Sequence, residues 1–282
     1  MVLKGLTRAG MGPVGDVESF AVLAHKYGFD AIDCSGKELQ DLIQGKGVDG
    51  AKEFLGSHGL TIGSIGLSVE WRQSEEKFRE GLMGLAAEAN AAAALGCTSC
   101  CTYVLPSTDL NPAEFLATAT RRLRLCAQVL GAYGVRLGLE YVGPHHLRNM
   151  GKHPFIWDLP GTLEWIDVIH EPNVGLNLDA IHWYTTSNDP AEILSLKKDQ
   201  VVHVHINDVP DVPIPEVLDN GRTFPGEGVI NLSGFLRALG AIGYAGVVSQ
   251  EILTKEPFDA SPEELLQRSA DGFNKVFAAA GL

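Results

Sequence analysis

Residues 201–208, VVHVHIND, decide how the rest of this sequence is interpreted. Side chains alternate between the two faces of a β-strand, so the stretch presents one apolar and one polar face. The apolar face carries Val202, Val204 and Ile206, and the polar face carries His203, His205 and Asn207. Ordinary core strands are apolar on both faces or solvated on one, and neither pattern favours paired imidazoles. We therefore expect this strand to direct histidines into a functional site.

Composition narrows the class of protein that carries this strand. The chain has 282 residues, 45% of them hydrophobic and 20% charged, which suffices for a large core. No linker or low-complexity tract divides it, so we interpret residues 1–282 as a single domain. No apolar run approaches the ~20 residues of a membrane helix. The start MVLKGLTRAGMG has no apolar signal-peptide core, so we expect a cytoplasmic protein without a membrane partner.

Net charge and cysteine usage exclude further classes. A formal charge of −13 opposes binding to phosphate backbones, so no nucleic-acid partner is expected. Five cysteines form an odd set, and Cys97 and Cys100 make one C-x-x-C spacing. That spacing occurs in redox pairs and half zinc sites, but no second C-x-x-C follows. We interpret these cysteines as small apolar residues of a buried strand, in a reducing compartment.

Strand-like and helix-like segments alternate along the chain. The predicted strands are GLTRAG, FDAIDCS, LTIGSIGLS, CTSCCTYVL, VRLGLEYV, NVGLNLDAI, VVHVHIND and GVVSQEIL. Capping residues followed by proline predict helix starts at Asn111, Asp189 and Ser261. Eight β/α units in under 300 residues favour an α/β fold of the (β/α)₈ TIM barrel type. An open doubly wound sheet is the alternative, but no G-x-G-x-x-G follows the first strand.

Acidic or imidazole side chains stand at the same phase near the ends of four consecutive predicted strands. They are Glu140, Asp179, His205 and Glu251. A single acidic residue at a strand end is more often a capping or loop residue. These four residues on consecutive strands indicate a site instead, because the carboxyl ends of barrel strands meet at one face, where active sites are built. Three converging carboxylates would repel one another unless a cation lies between them. Three oxygen donors and one imidazole suit Mn²⁺, Mg²⁺ or Co²⁺ better than structural Zn²⁺. His203 is predicted to support the ligand His205 from one layer below.

Five segments together resemble the xylose isomerase-like sugar isomerase/epimerase superfamily, and within it the inosose (2-keto-myo-inositol) isomerases. They are GVRLGLEYVGP, PNVGLNLDAIHWYTT, VVHVHINDVPD, GRTFPGEGVINL and GYAGVVSQEIL. The resemblance implies one divalent metal ion, with Mn²⁺ favoured over Mg²⁺, Co²⁺ or Zn²⁺, on Glu140, Asp179, His205 and Glu251. It also implies that His182 and Arg222 bind substrate. The segment PHHLRNMGKHPFIWD looks longer than its counterpart and would overhang the substrate, and Arg148 within it binds substrate oxygens or lies in water.

The implied activity is isomerisation or epimerisation of a small polyhydroxy ketone or aldehyde by a cytoplasmic enzyme, and a homo-oligomer is compatible with it. Glu140 and Glu251 would move the proton next to the carbonyl through an enediolate. A metal-dependent lyase or hydratase acting on a keto-sugar or glycoside would use the same groups. A DNA-repair endonuclease of this superfamily would need three zinc ions and a less acidic surface. A sugar-binding barrel without activity is the remaining alternative.

Overall fold

Eight parallel strands close into a barrel in the computed structural model, which describes residues 2–282. The barrel strands are β1 (Leu3–Leu6), β2 (Ala31–Ser35), β3 (Thr61–Gly66), β4 (Ser99–Val104), β6 (Arg136–Tyr141), β8 (Val174–Asp179), β9 (Val201–Ile206) and β10 (Val247–Gln250). Their order around the barrel is β1-β10-β9-β8-β6-β4-β3-β2. Two short strands, β5 (Ser107–Thr108) and β7 (His153–Pro154), pair antiparallel outside it. The predicted (β/α)₈ barrel is confirmed, and the open sheet is wrong.

Helices follow the barrel strands and cover their outer faces. They are α1 (Val17–Lys26), α2 (Gly36–Ser57), α3 (Glu75–Ala94), α4 (Pro112–Gly131), α5 (His145–Arg148), α6 (Leu159–Ile169), α7 (Ala180–Thr186), α8 (Pro190–Leu194), α9 (Leu232–Ala241) and α10 (Pro262–Ala280). Asn111, Asp189 and Ser261 cap α4, α8 and α10, each followed by proline, as predicted. Within residues 2–282, none of these helices has the length and apolar content needed to cross a membrane.

Four helices differ from the sequence interpretation. The helix-like segment GAKEFLGSHG covers only residues 50–59, but α2 begins at Gly36, where Ser35 and Glu38 form a capping box. Gly47, with φ of 72°, kinks it and interrupts the apolar periodicity that would have shown its length. Helices α1 and α5 were not predicted. Helix α7 was also missed, because it begins directly after the last residue of β8 and the predicted strand NVGLNLDAI includes its first residues.

The barrel interior is polar where an ordinary core would be apolar. Outward-facing Leu137 and Leu139 of β6 are fully buried beneath the helices. Inward-facing Asn177, His203 and Ser249 are buried too, each with at most 1% of its surface exposed. All five cysteines are free, and the buried ones are Cys97, Cys100 and Cys126, as the packing interpretation predicts. The alternation seen in the sequence therefore separates an apolar core that faces the helices from a polar barrel interior.

Candidate metal and substrate site

Four predicted site residues meet at the carboxyl end of the barrel. One donor atom from each of Glu140, Asp179, His205 and Glu251 lies within 4.8 Å of all the others. Asp179 is the last residue of β8 and lies beside His205 of β9 in the strand register. Glu251 directly follows β10, and Glu140 is the penultimate residue of β6. The common phase of these positions along neighbouring strands brings the side chains together.

One edge of the His205 ring faces all three carboxylates. Its Nδ1 atom lies 2.9 Å from Oε1 of Glu140, 3.6 Å from Oε2 of Glu251 and 3.9 Å from Oδ2 of Asp179. The His205 side chain is 8% exposed, and that of Asp179 is fully buried. The three acids and the imidazole therefore point at one small volume.

Two buried amides hold the carboxylates in place. Nδ2 of Asn177 donates to Oε1 of Glu140 at 2.9 Å. Nδ2 of Asn207 donates to both oxygens of Asp179, at 2.9 and 3.1 Å. Asn177 and Asn207 belong to the polar face that the alternation predicts for their strands. Donors on one side of each carboxylate fix its orientation and leave its remaining lone pairs directed into the site.

Arg222 is the cation that contacts these acids. Its Nη1 atom donates to Oδ2 of Asp179 at 2.9 Å and to Oε2 of Glu251 at 2.8 Å. Its Nη2 atom donates to Asp219 at 2.7 Å, and the side chain is only 1% exposed. The guanidinium of Arg222 thus forms ion pairs with three carboxylates and none with Glu140. The three are those of Asp179, Asp219 and Glu251.

The protonation behaviour of the cluster reflects this excess of negative charge. Burial acts to raise the pKa of Asp179, but Arg222, His182 and His205 together lower it to about 2. The pKa of Glu251 is raised, because burial outweighs the attraction of His205 and Arg222. Burial acts to lower the pKa of His205, yet Glu251 and Glu140 raise it well above its usual value. The protein therefore offers more carboxylate charge than its own cations neutralise.

The donor set fits a divalent cation. Three carboxylate oxygens and one neutral imidazole nitrogen are ligands that Mn²⁺, Mg²⁺, Co²⁺ and Zn²⁺ accept. Glu140, Asp179, His205 and Glu251 could supply them, because their donor atoms already share one small volume. A bound dication would also offset the charge that Arg222 leaves unpaired.

Asp33 of β2 is a site residue that the sequence interpretation missed. Its Oδ2 atom lies 2.8 Å from Nε2 of His203 and 3.7 Å from Nε2 of His205. Burial opposes its ionisation, but the two histidines hold the pKa of Asp33 well below its usual range. Strand alternation could have identified it. Asp33 stands two positions after Ala31, so both side chains lie on the same face of the predicted strand FDAIDCS, the face that points into the barrel. The ring of His203 packs edge-to-face against that of His205, with centroids 5.2 Å apart, and Nε2 of His203 lies within hydrogen-bond distance of Asp33.

A cavity of about 370 Å³ opens above the cluster. Glu140 and Glu251 line it, whereas Asp179 does not. Arg8, Glu38 and Tyr103 belong to its outer wall. His182 and Arg222, predicted to bind substrate, are 1% and 3% exposed and do not line it. Their contact with substrate stays a prediction.

The segment of residues 144–158 is tied to its neighbours. Its strand β7 pairs with β5, joining His153 to Thr108 and Pro154 to Ser107. Arg148 donates through Nε to the carbonyl of Gly143 at 2.7 Å and through Nη2 to that of Thr185 at 3.0 Å. From the sequence, Arg148 was expected either to bind substrate oxygens or to lie in water. In the structure its guanidinium hydrogen-bonds two backbone carbonyls and joins the segments that carry them.

The chain is similar to proteins of known family. A family model described as xylose isomerase-like TIM barrel matches residues 21–276. Inosose isomerase of Bacillus subtilis (strain 168) is 32% identical over 136 residues, which are 48% of this chain and 46% of that protein. 3-Dehydroshikimate dehydratase of Pseudomonas putida is 30% identical over 157 residues, 55% of this chain and 23% of that protein. These matches thus span less than half the length of either relative.

Solved structures share the whole fold. A xylose isomerase domain protein from Alicyclobacillus acidocaldarius superposes with a TM-score of 0.91 at 31% identity, over 100% of both chains. The IolI protein, in a structure with a bound zinc atom, superposes with a TM-score of 0.80 at 21% identity, over 98% of each chain. At 21% identity, the similarity to the IolI protein shows a shared fold only.

Proposed function

The chain belongs to the xylose isomerase-like TIM barrel family, and from that premise we propose that it is a divalent-metal-dependent isomerase or epimerase of a small polyhydroxy ketone or aldehyde. Membership confirms the resemblance seen in the sequence. The substrate class we propose is a keto-sugar or keto-inositol, supported by the similarity to inosose isomerase of Bacillus subtilis.

We assign the metal to Glu140, Asp179, His205 and Glu251, whose donor atoms converge within 4.8 Å. When bound, a divalent ion polarises a substrate carbonyl as a Lewis acid and so acidifies the neighbouring C–H bond. Mn²⁺ is the ion we favour, because the set is rich in oxygen donors. Zn²⁺ is the principal competitor, since the IolI structure of the same fold holds zinc.

One observation carries the assignment of the proton-transfer residues. Of the three clustered carboxylates, Glu140 and Glu251 line the cavity, while Asp179 is fully buried behind them. A general base must reach the proton that it removes, so the two glutamates are the candidates. They come from β6 and from the end of β10, which lie three strands apart in the barrel order. A substrate in the cavity could therefore reach both carboxylates.

The surrounding residues keep these two carboxylates in position. Nδ2 of Asn177 holds Glu140, and Nη1 of Arg222 holds both the side chain and the backbone carbonyl of Glu251. Fixed carboxylates need little reorganisation before proton transfer, which lowers its barrier. In this proposal one glutamate takes the proton next to the carbonyl to give an enediolate. Return of a proton to the opposite face of the same carbon gives the epimer, and return to the former carbonyl carbon, with transfer of the hydroxyl proton to the former carbonyl oxygen, gives the isomer.

A dehydratase is the second candidate, favoured by the similarity to 3-dehydroshikimate dehydratase of Pseudomonas putida. Dehydration also begins with removal of the proton next to a carbonyl, so the same glutamates and metal would serve it. The two reactions differ in the fate of the β-hydroxyl group, which isomerisation retains and dehydration expels.

The test is a product screen. Metal-free protein is supplied with Mn²⁺ and incubated with a panel of ketohexoses, keto-inositols and 3-dehydroshikimate, and the products are identified by NMR. We expect an isomer or epimer of the same mass from one of the neutral polyols. Loss of water would move the assignment to a dehydratase, and binding without conversion would indicate a binding protein. Protein without added metal serves as the control.

A further inference from the structure

We propose that Arg8 and Glu38, an ion pair in the wall of the cavity, bind hydroxyl groups of the substrate and thereby select neutral polyols over anionic substrates. This inference rests on the proposed function, because it concerns the part of the substrate that lies away from the proposed metal site. Both residues line the same cavity as Glu140 and Glu251. Neither belongs to the cluster of possible metal ligands.

The pair lies across the barrel mouth from the proposed metal site. Arg8 follows β1, and Glu38 lies in the first turn of α2, which directly follows β2. In the closed barrel order, β1 stands opposite β6 and β2 stands opposite β8. Those opposite strands carry Glu140 and Asp179. A substrate held at the proposed metal site therefore extends through the cavity toward Arg8 and Glu38.

The guanidinium of Arg8 is held in place and keeps further donors free. Nη1 donates to the carbonyl of Gly15 at 2.7 Å, and Nη2 donates to Oε1 of Glu38 at 2.7 Å. The guanidinium also lies over the ring of buried Phe20, 4.8 Å from its centroid. Each terminal nitrogen carries a second N–H, for which residues 2–282 supply no acceptor. Because the side chain is 30% exposed and lines the cavity, these donors are available to a hydroxyl oxygen.

The carboxylate of Glu38 supplies an acceptor beside these donors. Its Oε2 atom accepts the backbone N–H and the hydroxyl of Ser35, at 2.8 and 2.9 Å, in the capping box of α2. Burial acts to raise the pKa of Glu38, but the bonds from Ser35 and Arg8 lower it overall, so the carboxylate stays ionised. Oε1 accepts only from Arg8 within residues 2–282, which leaves it a free lone pair. A hydroxyl group both donates and accepts, so adjacent donors and acceptors suit the neighbouring hydroxyls of a polyol.

The same pair disfavours a negatively charged substrate. Among the cavity-lining residues that the structure describes, Arg8 is the sole arginine or lysine, and Glu38 already neutralises it. Glu140 and Glu251 add negative charge to the same cavity. A substrate carboxylate would therefore meet no unpaired arginine or lysine and would be repelled by the glutamates.

Equilibrium binding to the Mn²⁺-loaded protein tests the pair. D-fructose and 2-keto-myo-inositol are the neutral probes, 3-dehydroshikimate is the anionic probe, and calorimetry gives each Kd. Loss of a hydrogen bond to a charged group weakens binding by about tenfold or more, so we expect that rise in Kd for the neutral probes in Arg8→Met. Lys46→Met is the matched control, because Lys46 forms a 2.7 Å pair of similar exposure with Glu18 and does not line the cavity. It should change each Kd by less than about threefold.

The variant Glu38→Gln separates hydroxyl binding from a purely structural role. Glutamine can still form the capping box with Ser35, but it no longer neutralises Arg8. A free guanidinium binds a carboxylate well, so we expect the Kd of 3-dehydroshikimate to fall by about tenfold while the neutral probes bind no better. A pair that only joins the loop after β1 to α2 would instead give changes of the same direction for all three probes. Mn²⁺ should bind both variants as tightly as the unchanged chain, within about threefold.

The outcomes distinguish this role from the proposed function. Unchanged Kd values for the neutral probes in Arg8→Met, or changes of one direction for all probes in Glu38→Gln, would overturn the role of the pair and leave the proposed function intact. Tighter binding of 3-dehydroshikimate than of the neutral probes by the unchanged chain would overturn the selection of neutral polyols. Binding of none of the three probes would overturn both proposals. Should Arg8→Met fail to fold, Arg8→Lys keeps the charge with fewer donors, and we again expect a higher Kd for the neutral probes.

Discussion

Arg222 and Asp179 form a buried ion pair beneath the candidate site, with Nη1 and Oδ2 2.9 Å apart. The two side chains are 1% and 0% exposed. Arg222 does not line the cavity, and its predicted contact with substrate stays a prediction. Its contacts with Asp179 and Glu251 instead fix the two acids relative to each other.

Replacing Arg222 should therefore destabilise the protein strongly. Arg222→Met leaves Asp179 buried with its charge unpaired, and breaking a buried pair in this way costs about 3–5 kcal/mol. Urea unfolding of the metal-free protein measures the loss. The control is Arg268→Met, which breaks a half-exposed pair with Glu227 and should cost at most about 1 kcal/mol. Equal small losses would show that Arg222 does not neutralise the acids.

Removal of the metal should abolish turnover and lower stability together. The acids of the cluster exceed the cations that pair with them, so a dication binds the folded chain far better than the unfolded one. At a concentration of 100 Kd, such binding stabilises the folded state by about 2.7 kcal/mol. Chelator treatment followed by Mn²⁺ addition, with activity and thermal unfolding recorded at each step, checks both effects. Full activity in protein shown by elemental analysis to be metal-free would refute the metal site.

Filling the cavity should block the substrate without disturbing the metal. Gly66 lines the cavity at the end of β3, and an added Cβ would meet nothing within 4 Å. The side chain of Gly66→Phe can then extend into the cavity, and we expect KM to rise by about tenfold or more, equivalent to 1.4 kcal/mol of lost binding. Gly84→Phe on the exposed face of α3, also without neighbours within 4 Å, is the matched control. Unchanged KM in Gly66→Phe would place the substrate elsewhere.

The buried cysteines should be unreactive in the folded protein. Burial raises the pKa of Cys97 and of Cys126 to about 12, and raises that of Cys100 well above its usual value. A thiol must ionise to react, so labelling of these three residues should require unfolding. Thiol titration with and without urea, followed by peptide mapping, measures this. A disulfide between Cys97 and Cys100 under mild oxidation would support the redox interpretation instead.

The fold and the meeting of the four clustered residues were predictable because they depend on local periodicity. Alternation along VVHVHIND and its neighbours identifies the inward face, and proline after Asn111 or Asp189 identifies helix starts. When neighbouring strands run parallel, side chains that stand on the same face near the carboxyl ends of those strands lie close together in the barrel.

The contacts that tune the site were not predictable in the same way. Asp33 and His203 are 170 positions apart, and only barrel closure places them 2.8 Å from each other. Asp179 was predicted as a site residue, but its Oδ1 also accepts the Ile181 N–H at 2.9 Å and caps a helix that alternation did not reveal. The orientation of the Arg222 side chain depends on the path of the loop between β9 and α9, and the sequence of that loop has no strand or helix periodicity from which its path could be predicted.

Solvent exchange tests the central claim most directly. Substrate is incubated in D₂O with Mn²⁺ and either the unchanged chain or Glu251→Gln, and deuterium at the carbon next to the carbonyl is followed by NMR. We predict exchange accompanied by isomerisation or epimerisation, with the carbon skeleton and hydroxyl groups retained. Glu251→Gln should keep some metal binding through the three remaining ligands, while turnover at saturating Mn²⁺ falls by about 10²–10⁴-fold, as expected when a proton-transferring group is lost. Conversion that proceeds at the same rate in Glu251→Gln, or that expels water, would contradict the account.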